Sequence, residues 1–189
     1  MKKIAVFASG SGTNAQKIFE RFEHHDQIKV EVLFCNKSEA KVLERAKKFG
    51  ITTRVFDKQT FIETTEILQE LKHRGVDFVV LAGFLWLIPG YLVNAYERRM
   101  INIHPALLPK YGGKGMYGMK VHESVVANKE KETGITIHYV DPAYDEGNIV
   151  FQAKCAVDKN DTAEDVAQKI HQLEHQHFPE VIEKLVLEL

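Results

Sequence analysis

The chain has 189 residues, of which 44% are hydrophobic and 27% charged, with a formal net charge of −1. This is enough chain to bury a core without disulfide or metal staples, and 25 basic against 26 acidic residues exclude a general positive field for nucleic acid. No run reaches the roughly 18 apolar residues that span a bilayer, so no membrane partner and a cytoplasmic location are expected.

Met1-Lys2-Lys3 and the apolar run at 4–8 have the outline of a signal peptide, but the run is too short and ends in Ser9-Gly10-Ser11-Gly12. It is predicted to be a strand. A helix is predicted over 14 to about 22, with Ala15, Ile18, Phe19 and Phe22 on one face. A second strand follows at 30–35, then a helix at 38–49 stopped by Gly50. The third strand is placed at 52–56, and a single helix at 59–74 is closed by Gly75. The fourth strand, 78–82, is apolar throughout, as expected where both faces are covered; the fifth runs from Met100 to His104. This alternation predicts an α/β fold: an open, mostly parallel twisted sheet with helices on both faces, Rossmann-like in its N-terminal half. The last third reads differently, with strands at 133–140 and 148–157 and a long helical stretch at 161–187, interrupted near Pro179. No linker or repeat divides the sequence, so a single domain over 1–189 is expected.

The segment Gly10-Ser11-Gly12-Thr13-Asn14-Ala15 follows a strand and opens a helix, where glycines admit a ligand to the backbone and free N–H groups attract phosphate. The alternative is a tight turn capped by Thr13 or Asn14. The segment also fits G-x-G-x-x-A, but the second strand ends in Phe34-Cys35-Asn36, with no carboxylate for a dinucleotide ribose. A phosphate monoester suits the loop better than NAD. Asn102 and His104 share one face of the fifth strand at its carboxyl end, where such sheets bind ligands. An amide donor beside an imidazole suits acyl transfer; a capped strand end with a buried histidine is the alternative. Asp145 lies in Asp141-Pro142-Ala143-Tyr144-Asp145-Glu146-Gly147. If it reaches His104 it raises the imidazole pKa and orients the ring; otherwise this is a solvated turn.

His171-Gln172-Leu173-Glu174-His175 fits H-x-x-E-H, a zinc peptidase pattern. No third ligand outside this helix is evident, so the preferred reading is a polar helix face with Glu174 turned into a cleft, and no metal is expected. His122 follows a glycine-rich loop and is a candidate lining residue. His24, His25 and His73 are assigned to charged helical surfaces, and His138 to a structural place in a strand. Cys35 and Cys155 read as small buried hydrophobes.

Taken in order, Ala8-Ser9-Gly10-Ser11-Gly12-Thr13-Asn14, Val80-Leu81-Ala82-Gly83-Phe84, Asn102-Ile103-His104-Pro105, Leu107-Leu108-Pro109-Lys110-Tyr111, Asp145 with Gly147, and Glu174-His175 resemble the phosphoribosylglycinamide formyltransferases over nearly the whole chain. The resemblance implies a formyltransferase fold, 10-formyl-tetrahydrofolate as formyl donor and glycinamide ribonucleotide as acceptor, without a metal. It further implies that Gly12, Thr13 and Asn14 hold the acceptor's phosphate and that Glu174 meets its ribose. Asn102 and His104 serve the formyl group, and Asp145 keeps His104 charged. Leu85, Trp86, Leu87 and Ile88, with Asn102, Asp141 and the loop 141–145, receive the folate. A monomer or weak homodimer is expected. Relatives often carry Met-Arg where Leu85-Trp86 stands and Ser-Arg-Glu after the third strand, where this chain has Lys58-Gln59-Thr60; the loop 112–118 is longer and richer in glycine. Formyl-folate hydrolases and methionyl-tRNA formyltransferases share the Asn–His–Asp group but carry an additional N-terminal or C-terminal domain. Outside this chemistry, an NAD-dependent oxidoreductase and a non-catalytic nucleotide-binding module are the competing classes.

Overall fold

The computed structural model describes residues 1–142 and 145–189. Its strands are β1 (Lys2–Ala8), β2 (Ile28–Cys35), β3 (Thr52–Val55), β4 (Phe78–Leu81), β5 (Met100–His104), β6 (Glu132–Tyr139) and β7 (Ile149–Ala156). They form one seven-stranded sheet in the order β3-β2-β1-β4-β5-β6-β7. The first five pair in parallel; β6 runs antiparallel to β5, and β7 antiparallel to β6. The sheet is therefore open and mostly parallel, as the sequence predicts.

Period-two alternation sorts the strand side chains onto two cores. On β1, Ile4, Val6 and Ala8 face one core, while Ala5 and Phe7 face the other. The first core is covered by α1 (Thr13–Phe22), α2 (Lys41–Lys48), α6 (Met119–Ala127) and α7 (Ala163–Leu187), through residues such as Ile18, Val42, Val125 and Phe178. The second is covered by α3 (Lys58–Glu63), α4 (Glu66–His73) and α5 (Gly90–Ala95), and it is rich in aromatic rings. Phe7 stacks on Phe34 at 4.8 Å, and Phe56, Phe61 and Phe84 pack around them.

Every helix after α1 departs from the sequence expectation in some respect. The helix expected at 38–49 starts later, at Lys41, because Ala40 is extended and closes a turn back to the Lys37 carbonyl. The helix expected at 59–74 is two. Thr64 takes an extended conformation; its hydroxyl donates to the Thr60 carbonyl and accepts from the Glu66 N–H, so one side chain ends α3 and begins α4. The short α5 and the nine-residue α6 were not expected. In the opposite direction, α7 runs through Pro179 without a break. Proline there removes one backbone bond, and Phe178, Ile182 and Val186 remain fully buried against the core on either side of it.

Candidate active site

A cavity of about 630 Å³ opens beyond the carboxyl ends of β1, β4 and β5. Its wall includes every residue singled out from the sequence: Gly12, Thr13, Asn14, Leu85, Trp86, Leu87, Ile88, Asn102, His104, Asp141, Asp145 and Glu174. The segment 141–145 expected to receive the folate contains Ala143 and Tyr144, which lie outside the described residues.

The glycine loop forms one end. Gly12 sits at φ +73°, and α1 begins after it with no side-chain cap, so neither Thr13 nor Asn14 caps the helix. The loop carbonyls are taken by the protein: Val42 N–H donates to Gly10, Arg45 Nε–H to Ser11 and Gln16 N–H to Gly12. The first-turn N–H groups of α1 have no intrahelical partner and are available to an anion. Asn14 instead donates from Nδ2 to Glu174 Oε2 at 3.0 Å, joining α1 to α7. Glu174 is 6% exposed, and burial pushes its pKa up to about 7 against the lowering effect of that hydrogen bond.

The other end is built on β5 and β6. Thr136 lies opposite His104 across the antiparallel pair and is fully buried. Its hydroxyl donates to the Ala106 carbonyl and accepts from Leu108 N–H and Gln152 Nε2, which fixes the chain as it leaves β5. His138 lies opposite Asn102 in the same register, and Asn102 Nδ2 is 3.2 Å from its Nε2. His138 Nδ1 donates to the Tyr139 carbonyl at 2.9 Å, which orients the ring with Nε2 toward Asn102.

Asp145 joins these groups. Its Oδ2 is 3.4 Å from His104 Nδ1 and accepts the Gly113 N–H at 3.0 Å. Its Oδ1 accepts from Asn102 Nδ2 at 3.4 Å and lies 3.5 Å from His138 Nε2. Asp145 holds φ +56°, a left-handed conformation that costs a non-glycine residue roughly 1–2 kcal/mol. Two residues on, the backbone passes so close to the end of β6 that a Cβ on Gly147 would lie 1.7 Å from the Tyr139 carbonyl oxygen. Burial alone would raise the Asp145 pKa, but the bond with His138, the nearby His104 ring and the Gly113 N–H together hold it below the usual carboxylate value.

His104 is 4% exposed and donates from Nε2 to the Tyr111 carbonyl at 2.7 Å. Burial lowers its pKa below the ordinary histidine value, and Asp145 and the Tyr111 carbonyl only partly oppose this. Burial thus favours a neutral ring. This departs from the expectation of a standing imidazolium, because desolvation outweighs the carboxylate.

Sequence reasoning missed His138 as a site residue. Its alternation within a strand is consistent with either role, and only the β5–β6 register places it against Asn102. His122 and His171 do line the cavity, as does Lys114. His25, assigned to an inert surface, is structural: Nδ1 accepts from the N–H groups of Gln27 and Ile28, and Nε2 meets Glu183. Cys35 is buried, while Cys155 is only partly so. Among the described residues no group of three or more His, Cys, Asp or Glu is placed to hold a metal ion, and His171 and His175 stack on one another instead. No described helix is long and apolar enough to cross a membrane.

The family model described as formyl transferase matches residues 2–182 of this chain. The chain is 44% identical over 192 residues to the chloroplastic phosphoribosylglycinamide formyltransferase of Vigna unguiculata, covering 97% of this chain and 61% of that protein. It is 38% identical over 191 residues to phosphoribosylglycinamide formyltransferase of Bacillus subtilis (strain 168), covering 98% and 95%. Among solved structures, glycinamide ribonucleotide transformylase 1 from Geobacillus kaustophilus superposes with a TM-score of 0.89 at 38% identity, covering 98% of this chain and 99% of that one.

Proposed function

The chain belongs to the formyl transferase family, and from that premise we propose that it transfers a formyl group from 10-formyl-tetrahydrofolate to the amine of glycinamide ribonucleotide. The products are formylglycinamide ribonucleotide and tetrahydrofolate, a step of purine synthesis. One observation carries the reading: Asn102, His104 and Asp145 converge in the same cavity as a phosphate-ready glycine loop.

Gly12, Thr13 and Asn14 hold the acceptor's phosphate, and Glu174 meets its ribose. The irregular segment 83–88 suits a flat heterocycle. Phe84 and Ile88 anchor it in the core, while Leu85 and Leu87 remain 40% and 42% exposed as apolar surface. With Trp86, Asn102 and Asp141, they receive the folate ring.

In the transfer step the acceptor's neutral amine attacks the formyl carbon, and the formyl oxygen gains negative charge. Asn102 donates to that oxygen from Nδ2, exchanging its long bond to Asp145 for the new one. His104 starts neutral; as the new C–N bond forms, the proton shed by the attacking nitrogen passes to the His104–Asp145 pair, and it is delivered to N10 of the folate as the bond between the formyl carbon and N10 breaks. Asp145 stabilises the imidazolium that forms and fixes the ring's orientation. Donation from His104 Nε2 to the substrate requires its bond to the Tyr111 carbonyl to be shared or exchanged. Such preorganised donors are typically worth ~10²–10³ in rate each.

The test is a turnover assay with and without the ribonucleotide. Tetrahydrofolate release that depends on the ribonucleotide supports the transferase; equal release without it makes the chain a hydrolase. His104→Ala is expected to lower turnover by about 10²–10⁴, and retention of more than about a tenth of wild-type activity would remove His104 from the chemistry.

A further inference from the structure

We propose that His122 is a recognition residue for the acceptor, donating its Nε2–H to an oxygen of the phosphoribosyl moiety; the assignment rests on the transferase reading above. His122 sits in the first helical turns of α6, is 3% exposed and lines the cavity. Its Nδ1 is sealed from solvent and has no hydrogen-bond partner. Nε2 is therefore the nitrogen left for the cavity. A proton on Nδ1 would have nothing to bond, so the neutral tautomer with Nε2–H is favoured. Burial, helped by the neighbouring His171 of α7 and His104 of β5, depresses its pKa to about 4. The ring is thus an uncharged, fixed donor over the working pH range.

Its place decides what it meets. His104, His171 and Glu174 line the same cavity as His122, so the ring shares it with both the transfer group and the α7 face that carries Glu174. Glu174 is tied to the glycine loop through Asn14. The phosphoribosyl part of the acceptor spans this interval, and its oxygens are acceptors for a neutral N–H. A leucine or phenylalanine would fill the same space without leaving a buried nitrogen unpaired, so packing alone does not account for histidine here.

The test compares wild type, H122F and H122Q. H122F keeps the bulk and loses the donor, whereas H122Q carries an amide N–H to about the same point. Binding of ribose 5-phosphate, measured by calorimetry, is expected to weaken roughly three- to tenfold in H122F and to recover in H122Q. The acceptor KM should follow, with the formyl-donor KM and kcat little changed. Unchanged ribose 5-phosphate affinity in H122F overturns the proposal, as does an equal rise in both KM values, which marks a packing role. If H122F does not fold, the ¹⁵N shifts of His122 in the wild-type chain replace it. A bare Nδ1, with an Nε2–H signal that moves on adding ribose 5-phosphate, supports the contact; an Nδ1–H tautomer overturns it. A wild-type chain that binds ribose 5-phosphate through His122 but transfers no formyl group would defeat the transferase reading alone.

Discussion

A β-carbon at residue 12 would lie 2.3 Å from Cγ2 and 2.9 Å from Cα of Val42, in a backbone conformation of φ +73°. Shortening Val42 cannot relieve the second contact, since Cα belongs to the main chain of α2. Gly12→Ala is therefore expected to weaken acceptor binding at least about tenfold, with added destabilisation of about 1–3 kcal/mol from strain and displacement. Steady-state KM values and urea melts of the variant read both effects. Glu174 gives a pH-dependent counterpart. Unfolded, it loses its proton near 4.5; folded, near about 7. Between these values the folded protein holds a proton that the unfolded chain has released, so stability falls as pH rises through the window, by about 3 kcal/mol in all. Glu174→Gln abolishes that loss. In denaturant melts without ligand, it should gain on wild type from pH 5 to pH 8 and show no gain at pH 4.5; a gain independent of pH would mean the carboxyl does not titrate there. Individual residues were legible where local geometry decides them. Asn102 and His104 share a strand face by their spacing of two, and the glycine loop declares itself by its position between strand and helix. The protonation state of His104 was not legible, because the extent of burial is set by the rest of the fold.

Helix α7 opens with a reciprocal cap: Thr162 Oγ1 accepts the Asp165 N–H, and Asp165 Oδ2 accepts the Thr162 N–H. Thr162→Ala should cost about 1 kcal/mol of stability in a thermal or urea melt and leave turnover unaltered, since the cap lies on the exposed end of the helix. Reduced turnover without reduced stability would contradict that separation. Caps also explain where element boundaries escaped the sequence. Thr64 and Thr65 sit inside an unbroken helical pattern, yet the Thr64 hydroxyl offers the backbone a competing set of bonds and divides α3 from α4. Helix α5 hides behind Pro89-Gly90, which reads as a turn, although proline before a first helical residue is compatible with a start. In α6 the buried Val121, His122 and Val125 carry the i, i+1, i+4 spacing of a helix face, but the glycine-rich segment before them supplies no helix-start signal. Pro179 misled in the opposite sense, because buried packing on both sides holds a helix that loses only one bond.

Across the whole molecule, the switch from parallel to antiparallel pairing at β5–β6 unites the chemical groups. Asn102 and His104 come from the last parallel strand, and His138 and Thr136 are their direct antiparallel neighbours. The alternation of strands and helices was readable from hydrophobic period. This register was not, because it depends on pairing between segments that share no local signal. Since β1, β5, β6 and α7 all contribute to one cavity, a ligand bound there opposes unfolding of the entire sheet. Acceptor or ribose 5-phosphate at a hundred times Kd should stabilise the protein by about 2.7 kcal/mol, raising Tm with ligand concentration in a single transition. A split transition, with only one part shifted, would show that the two halves unfold separately. The Asn14–Glu174 bond closes the cavity between residues 160 positions apart in the chain. A ribosome that has released the first six strands has made the glycine loop and the Asn102–His104 pair, but not the carboxylate that completes the nucleotide end. On the proposed acceptor site, the nucleotide end is complete only once the final helix has been made, and a chain terminated before α7 lacks the Asn14–Glu174 bond that joins its two sides.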